Sequence, residues 1–495
     1  MSNNKNLISE AKKSYENKNF FDAKSYLLMA LKGNKMDKKQ RLNIYILISD
    51  VSYKTNDFDN AEKYLLKTIE EGKFNSDISN QLGNIYLKKR NYKKAEKSYL
   101  KAIDLNEDNE IALINLAILY HNLGKQNEAI FFYKEVIKKN PKNFGALYNL
   151  SNIDKTTINE KTINILNKKI IEKNISNFDI ASCFFLLANE EKGKKNLSKE
   201  IDFLEKANKF SFIANEKRNN LLNNYWLKEI PKKIHEIKYF NDENYLAKTS
   251  NVYPIFIIGL PRCGSTLIES IISSGENKVE NLGETNLVNW AILNENKGFL
   301  KTLNENEKVQ FDFDETTKKL LNAFHNLKIE KDKKKIIFSE KSLENFYYID
   351  IILKIFPNAK FLHTFRNPSD SIISIFQSML AELSWTHSFD DILNYYDNYH
   401  RIINFYKNRF PKLIMDIDLE KFTNNSNHIS KEIYAFCGLK WRQDVLEFYK
   451  RNNLHSKTLS FAQIRNEVSV YNVSKYEPYL HLLNEYKTKF EWLNA

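Results

Sequence analysis

A fixed 34-residue step runs through the first half of the chain and constrains its fold more than any other feature. Ala61, Ala95 and Ala129 lie 34 residues apart, as do Ile69, Ile103 and Ile137, and the pairs Tyr86/Tyr120, Tyr99/Tyr133 and Leu116/Leu150 keep the same step. "QLGNIYLKKRNYKKAEKSYLKAI" and "NLAILYHNLGKQNEAIFFYKEVI" are two copies of one unit. A looser copy, "FDAKSYLLMAL", starts at Phe21, and a weaker one, "LANEEKGKKNLSKEIDFLEKAN", ends at Asn208. Self-similarity at this period marks stacked supersecondary units. Each unit reads as a helical hairpin: the small alanines let two helices approach, and Tyr and Leu fill the gaps. One hairpin cannot bury its apolar face alone, so neighbours stack into a solenoid. The aromatics here are core packing first; a concave face of the stack is the place for a peptide or carrier.

The period, with Leu-Gly-x-x-Tyr followed by Ala, resembles tetratricopeptide repeats. That resemblance covers residues 5–215 and implies an N-terminal all-α tetratricopeptide-repeat solenoid, assigned to residues 1–215. "NNLLNNYWLKEIPKKIHEIKYF" then reads as a helical connector with one proline, residues 216–250.

Of the 495 residues, 75 are Lys or Arg and 62 Asp or Glu, a net charge of +13. This balance favours anionic ligands such as a nucleotide or a sulfated product, although many of these lysines solvate helix faces. Nucleic acid is not expected as a partner. Cys183, Cys263 and Cys437 form neither a disulfide framework nor a metal spacing, which suits a reducing compartment. The N-terminus has no signal-peptide core, and no apolar run approaches the roughly 20 residues of a membrane span. A cytoplasmic protein without a membrane span or a bound metal is expected.

After Val252 the pattern changes. Short apolar runs (255–258, 336–338, 361–365, 413–417) alternate with helical ones, which implies an α/β domain with a parallel sheet over residues 251–495. Ligands of such sheets sit at the carboxyl ends of the strands. "GLPRCGSTLIES" lies at one such end, with Gly259 and Gly264 spaced as in a phosphate-binding loop. Backbone N–H groups and the N-terminus of the helix opening at Ser265 can close on an anion. Arg262 adds charge, and Ser265 and Thr266 add hydroxyls. Ser265 stands where a nucleoside-triphosphate hydrolase or kinase carries its lysine, which argues against that chemistry. A donor with a sulfuryl group on a 5′-phosphate carries less charge than a triphosphate and needs less metal help.

This loop resembles the 5′-phosphosulfate loop of sulfotransferases that use 3′-phosphoadenosine-5′-phosphosulfate, above all tyrosylprotein sulfotransferases and bacterial proteins that fuse tetratricopeptide repeats to such a P-loop-like domain. The resemblance implies a donor site of Arg262, Cys263, Gly264, Ser265 and Thr266. In "FLHTFRNPSDSIISIF" it implies a 3′-phosphate element of Arg366 and Ser374. In "SFAQIRNEVSVYNVSKY" it places Ser460 and Lys475 on the donor, with Arg465 a further basic candidate. In "NLGETNLV" the resemblance implies Glu284 as the catalytic base, and in "SEKSLENF" it implies Lys341 as the active-site lysine, expected with Arg262 to stabilise the transition state. The family's donor-binding tyrosine near "LIMDIDLEKF" is replaced, and Asp416 occupies that place. His363 is a rival base, weighed against a buried structural histidine.

The resulting expectation is an enzyme that moves a sulfuryl group to an acceptor hydroxyl, for instance a peptide tyrosine, or to an amine. The acceptor could be a peptide, a glycan or a small molecule, and the repeats would recognise it or a protein partner. The alternative is a repeat scaffold with an inert nucleotide-binding domain.

Overall fold

The computed structural model describes residues 2–17, 19–33, 36–172, 174–233, 249–276, 279–295, 313–327, 335–450 and 463–494. It divides into two compact units, one of Met1–His121, Asn127–Lys139 and Leu321–Glu330, the other of Asn122–Gln126, Asn140–Leu320 and Lys331–Ala495.

The first unit is built of paired helices, as the period implies: Ser2–Glu16 with Phe20–Lys32, Lys38–Lys54 with Phe58–Glu70, Ser76–Lys88 with Tyr92–Leu105, and Glu110–Leu123 followed by Gln126–Lys139. Asp37, Asp57, Asn75 and Asn91 each cap a helix by accepting the N–H three residues on, which satisfies one of the orphan donors of the first turn. Ala61, Ala95, Ala129, Tyr99 and Tyr133 have no exposed surface. The repeated alanines and tyrosines are therefore the packing contacts of the solenoid.

In the second unit, helices Phe144–Ile153, Glu160–Ile170, Asn177–Gly193, Leu197–Ile213 and Glu216–Asn223 precede the sheet in the chain. The expected boundaries at 215 and 250 do not coincide with the compact units, because the helices after Asn140 share theirs with the sheet. Asn208 Nδ2 donates to the carbonyl of Phe376 at 2.9 Å, and the Tyr225 and Tyr348 hydroxyls meet at 2.6 Å.

The sheet is five-stranded and parallel: β1 Val252–Gly259, β2 Glu280–Asn281, β3 Ile336–Glu340, β4 Lys360–Phe365 and β5 Ile414–Asp418, in the order β2-β3-β1-β4-β5. Its central strand is apolar on both faces, as a doubly covered strand must be. Ile255 and Ile257 pack with Ile268, Ile271, Leu362 and Tyr434 on one side. On the other, the ring of Phe256 meets those of Phe338, Phe356 and Phe361. The four long strands fall on the apolar runs; the two-residue β2 has no alternation to announce it. After β3 the chain forms a 3₁₀ turn, Leu343–Tyr348, and a helix, Ile349–Ile355.

Candidate active site

The order of the strands brings the ends of β1, β3 and β4 side by side, and most of the expected site residues lie on the segments that leave those ends. After β1 the chain turns through Arg262 and Gly264, both with left-handed backbone (φ 70° and 81°), and enters the helix Ser265–Ile272. Leu419, just past β5, packs so closely on Gly264 that a Cβ there would lie 2.5 Å from its Cδ1. Ser265 and Thr266 are buried in the first turn. Cys263 is buried with its Sγ 3.3 Å from Ser371 Oγ, and burial pushes its thiol pKa up. A thiol held protonated in this way is a poor nucleophile.

Arg366 follows β4 directly and is only 6% exposed. Its Nη1 donates to the Tyr471 hydroxyl at 2.8 Å and its Nη2 to the Asp370 carbonyl at 2.9 Å; Nε has no partner, and no carboxylate pairs with it among the described residues. Its guanidinium carbon lies 5.2 Å from the centre of the Tyr476 ring. The Tyr476 phenol is buried, which raises its pKa, yet the Arg366 charge, hydrogen bonding to Ser374 and neighbouring Lys475 bring it below the usual value. Arg366, Ser374 and Lys475 are thus gathered round one hydroxyl, in a chain where Lys475 itself stays exposed. Burial lowers the Arg262 pKa, and the like charge of Arg366 lowers it further. The two guanidinium groups therefore share one electrostatic environment. Ser460 lies outside the described residues. Burial lowers the Arg465 pKa.

The short strand β2 explains how Glu284 reaches the site. β2 pairs with β3 through Phe338 and Ser339, and the pairing runs on as Leu282 N–H to Ser339 O and Lys341 N–H to Gly283 O, both 2.9 Å. Glu284 and Lys341 are thereby set opposite each other, and Lys341 Nζ lies 2.5 Å from Glu284 Oε1. The lysine side chain is 2% exposed and the glutamate 46%, so the carboxylate faces outward while the cation is enclosed. Burial lowers the Lys341 pKa, but Glu284 and then Glu269 outweigh it and hold the amine protonated. Glu269, on the helix after the phosphate loop, accepts from Gly283 N–H at 3.1 Å and ties the two halves of the site together. Glu340 is buried and spent on structure: it accepts from the Thr285 N–H and hydroxyl and from Ser342 and Asn345.

Two residues near the site, Glu344 and Tyr148, were not foreseen from sequence. Glu344, three residues past Lys341, has its carboxyl raised to about 7 by burial, then by the charges of Glu284 and Glu340, while its own N–H and Lys341 oppose the shift. Tyr148, from the helical region, is buried, bonds to the Met379 backbone and to Asn152, and feels the charge of Arg262. His363 is 4% exposed; its Nδ1–H donates to Asp416 Oδ1 at 2.7 Å and its Nε2 accepts from the Tyr399 hydroxyl. Asp416 also pairs with Lys407 at 2.5 Å. His363 therefore sits in a hydrogen-bonded wall, and Leu419 rather than Asp416 is the residue from this strand end that touches the loop.

Among the described residues, no group of three or more His, Cys, Asp or Glu side chains is gathered as a metal site would require, and no helix is long and apolar enough to cross a membrane.

Comparison with known proteins gives three matches to families: residues 254–443 to the Sulfotransferase family, and residues 76–109 and 98–131 to the tetratricopeptide repeat. A protein of Aquifex aeolicus (strain VF5), described as "Uncharacterized protein", is 32% identical over 239 residues, 46% of this chain and 31% of its own length. This chain thus spans about a third of the curated relative it matches. Among solved structures, the sulfotransferase domain from the Synechococcus PCC 7002 olefin synthase is 15% identical, with a TM-score of 0.33, covering 46% of this chain and 89% of that one. Sulfotransferase STF1 from Mycobacterium tuberculosis H37Rv is 10% identical, with a TM-score of 0.27, covering 62% and 97%.

Proposed function

We propose, for a chain that carries a sulfotransferase-family domain at residues 254–443 and tetratricopeptide repeats within 76–131, that it transfers a sulfuryl group from 3′-phosphoadenosine-5′-phosphosulfate to an acceptor hydroxyl or amine. The observation that carries this reading is Arg366, a buried guanidinium beside Arg262 that no carboxylate neutralises among the described residues. Burying such a charge is expensive unless an anion meets it. Two cationic positions on neighbouring strand ends suit a nucleotide with phosphate at both its 5′ and 3′ carbons.

The donor supplies the sulfuryl group and departs as the 3′,5′-bisphosphate. The phosphate loop, with Arg262, Gly264, Ser265 and Thr266, would hold the 5′ end, and Arg366, Ser374 and Lys475 the 3′-phosphate, with Ser460 a further candidate. Glu284 takes the proton from the acceptor as its oxygen or nitrogen forms the bond to sulfur. Lys341 and Arg262 stabilise the charge that develops on the bridging oxygen as the sulfur–oxygen bond to the donor breaks. No residue in this scheme needs a metal. A peptide tyrosine is the acceptor suggested by the resemblance to tyrosylprotein sulfotransferases, with the repeats recognising acceptor or partner, in the cytoplasm.

A thermal-shift panel tests the donor. Adenosine 3′,5′-bisphosphate should raise the melting temperature more than ATP does. Preference for ATP would point to a kinase, and no response to either to a repeat scaffold with an inert domain. Arg366→Ala should weaken the bisphosphate at least about tenfold, the scale of one lost charge-assisted contact, and unchanged affinity by calorimetry removes Arg366 from the site.

A further inference from the structure

Lys475 stands on a segment that cannot support itself. Val473–Tyr486 is a long 3₁₀ run, interrupted by Pro478. Such helices bond poorly beyond three or four residues, and a proline removes a donor from the ladder. Something outside the segment must fix where Lys475 and Tyr476 stand. The tie comes from the helical region. Glu200, on the helix Leu197–Ile213, is 3% exposed and accepts from the Tyr479 hydroxyl with both oxygens, at 2.9 and 2.8 Å. Tyr479 lies one turn beyond Lys475 and Tyr476.

The same carboxylate is held on its other side. Lys192 Nζ lies 3.6 Å from Glu200 Oε1 and donates to Gln377 Oε1 at 2.8 Å, while Gln377 Nε2 reaches Glu200 Oε1 at 3.3 Å. Lys192 also sits 5.5 Å from the Tyr479 ring centre. Gln377 directly follows the helix Pro368–Phe376, which carries Ser374. Glu200 therefore joins the two segments that bring Ser374 and Lys475 together. A buried carboxylate with these partners is costly to leave half satisfied, so the arrangement has one geometry rather than several.

We infer that Glu200 is a positioning residue for the donor's 3′-phosphate: through Tyr479 and Gln377 it sets Lys475 and Ser374 about Arg366, so that the helical region completes the donor site of the catalytic domain. This rests on the donor reading above. It assigns to the last hairpin of the helical region a role in nucleotide selectivity, separate from any acceptor or partner held elsewhere on the repeats.

The test compares two probes on the full chain, adenosine 3′,5′-bisphosphate and adenosine 5′-monophosphate, which differ only by the 3′-phosphate. Glu200→Ala and Tyr479→Phe should each weaken the bisphosphate about tenfold, the scale of one charge-assisted hydrogen bond, and leave the monophosphate within about twofold. Glu200→Gln, which keeps an acceptor for Tyr479, should recover part of the loss, and the double variant should be no worse than Glu200→Ala alone, since Tyr479 acts through Glu200. Equal losses for both probes, or no loss in Tyr479→Phe, overturn the inference. If the unmodified protein itself does not prefer the bisphosphate, the donor reading fails instead, so the two failures are distinct.

Discussion

Lys341 Nζ and Glu284 Oε1 lie 2.5 Å apart, with the cation enclosed and the carboxylate facing out. In the proposed reaction the carboxylate takes the acceptor's proton, and the lysine offsets the negative charge that grows on the donor's bridging oxygen. Glu284→Gln should therefore lower turnover about a hundredfold or more without changing bisphosphate affinity by calorimetry. Near-normal turnover in that variant moves the base elsewhere.

Glu344 gives the site a second ionisation. With its pKa raised to about 7, it is neutral in mild acid and adds a negative charge near Glu284 and Lys341 as the pH passes 7, a charge that favours withdrawal of the acceptor's proton. The turnover profile should rise through an inflection near pH 7, and Glu344→Leu should remove that inflection while leaving the rest of the profile in place. An unchanged profile in Glu344→Leu assigns the limb to another group.

Gly259 ends β1 with φ 143°, and a Cβ there would lie 2.3 Å from the carbonyl oxygen of Thr364 on β4. A backbone atom cannot swing aside. Gly259→Ala should destabilise the protein by roughly 2–4 kcal/mol through strain and displacement of the loop, read as a shifted denaturant midpoint; an unmoved midpoint shows that the strand ends yield more easily than their pairing suggests.

His387 is 7% exposed, with no hydrogen-bond partner for either ring nitrogen among the described residues and Phe212 against it edge-on. Burial pushes its pKa down to about 4. The unfolded chain binds this proton below about pH 6.5 and the folded protein does not, so stability should fall as the pH drops from 6.5 towards 4, by about 1.4 kcal/mol per pH unit from this group alone. His387→Phe should flatten that part of the stability curve; an equally steep acid loss in the variant would place the effect on other residues.

What the sequence made legible was local. The solenoid follows from a step that repeats along the chain, and the tight turn from β1 into the helix Ser265–Ile272 from a strand, two glycines and a helical pattern in one run of residues. The placement of Arg366 at a strand end and of Ser374 on the next helix was readable for the same reason, the two being eight residues apart. The contact of Glu200 with Tyr479 spans 279 residues, and neither residue carries a local pattern that predicts the other. Glu344 is similar: its raised pKa comes from burial and then from the charges that packing sets around it, neither of which its own stretch of sequence announces. β2 was missed because two residues cannot show a period, yet it is the element that sets Glu284 against Lys341.

The closing hairpin of the helical region has a consequence for how such a chain can change in length. A stack of like repeats tolerates one more or one fewer wherever each member touches only its neighbours. Beyond Asn140 that freedom ends, because Glu200, Asn208 and Tyr225 each make a contact that no generic repeat would supply. Added or deleted repeats should therefore be accommodated among the first helical pairs and rejected at the last, which makes the array extensible from one end and keyed at the other.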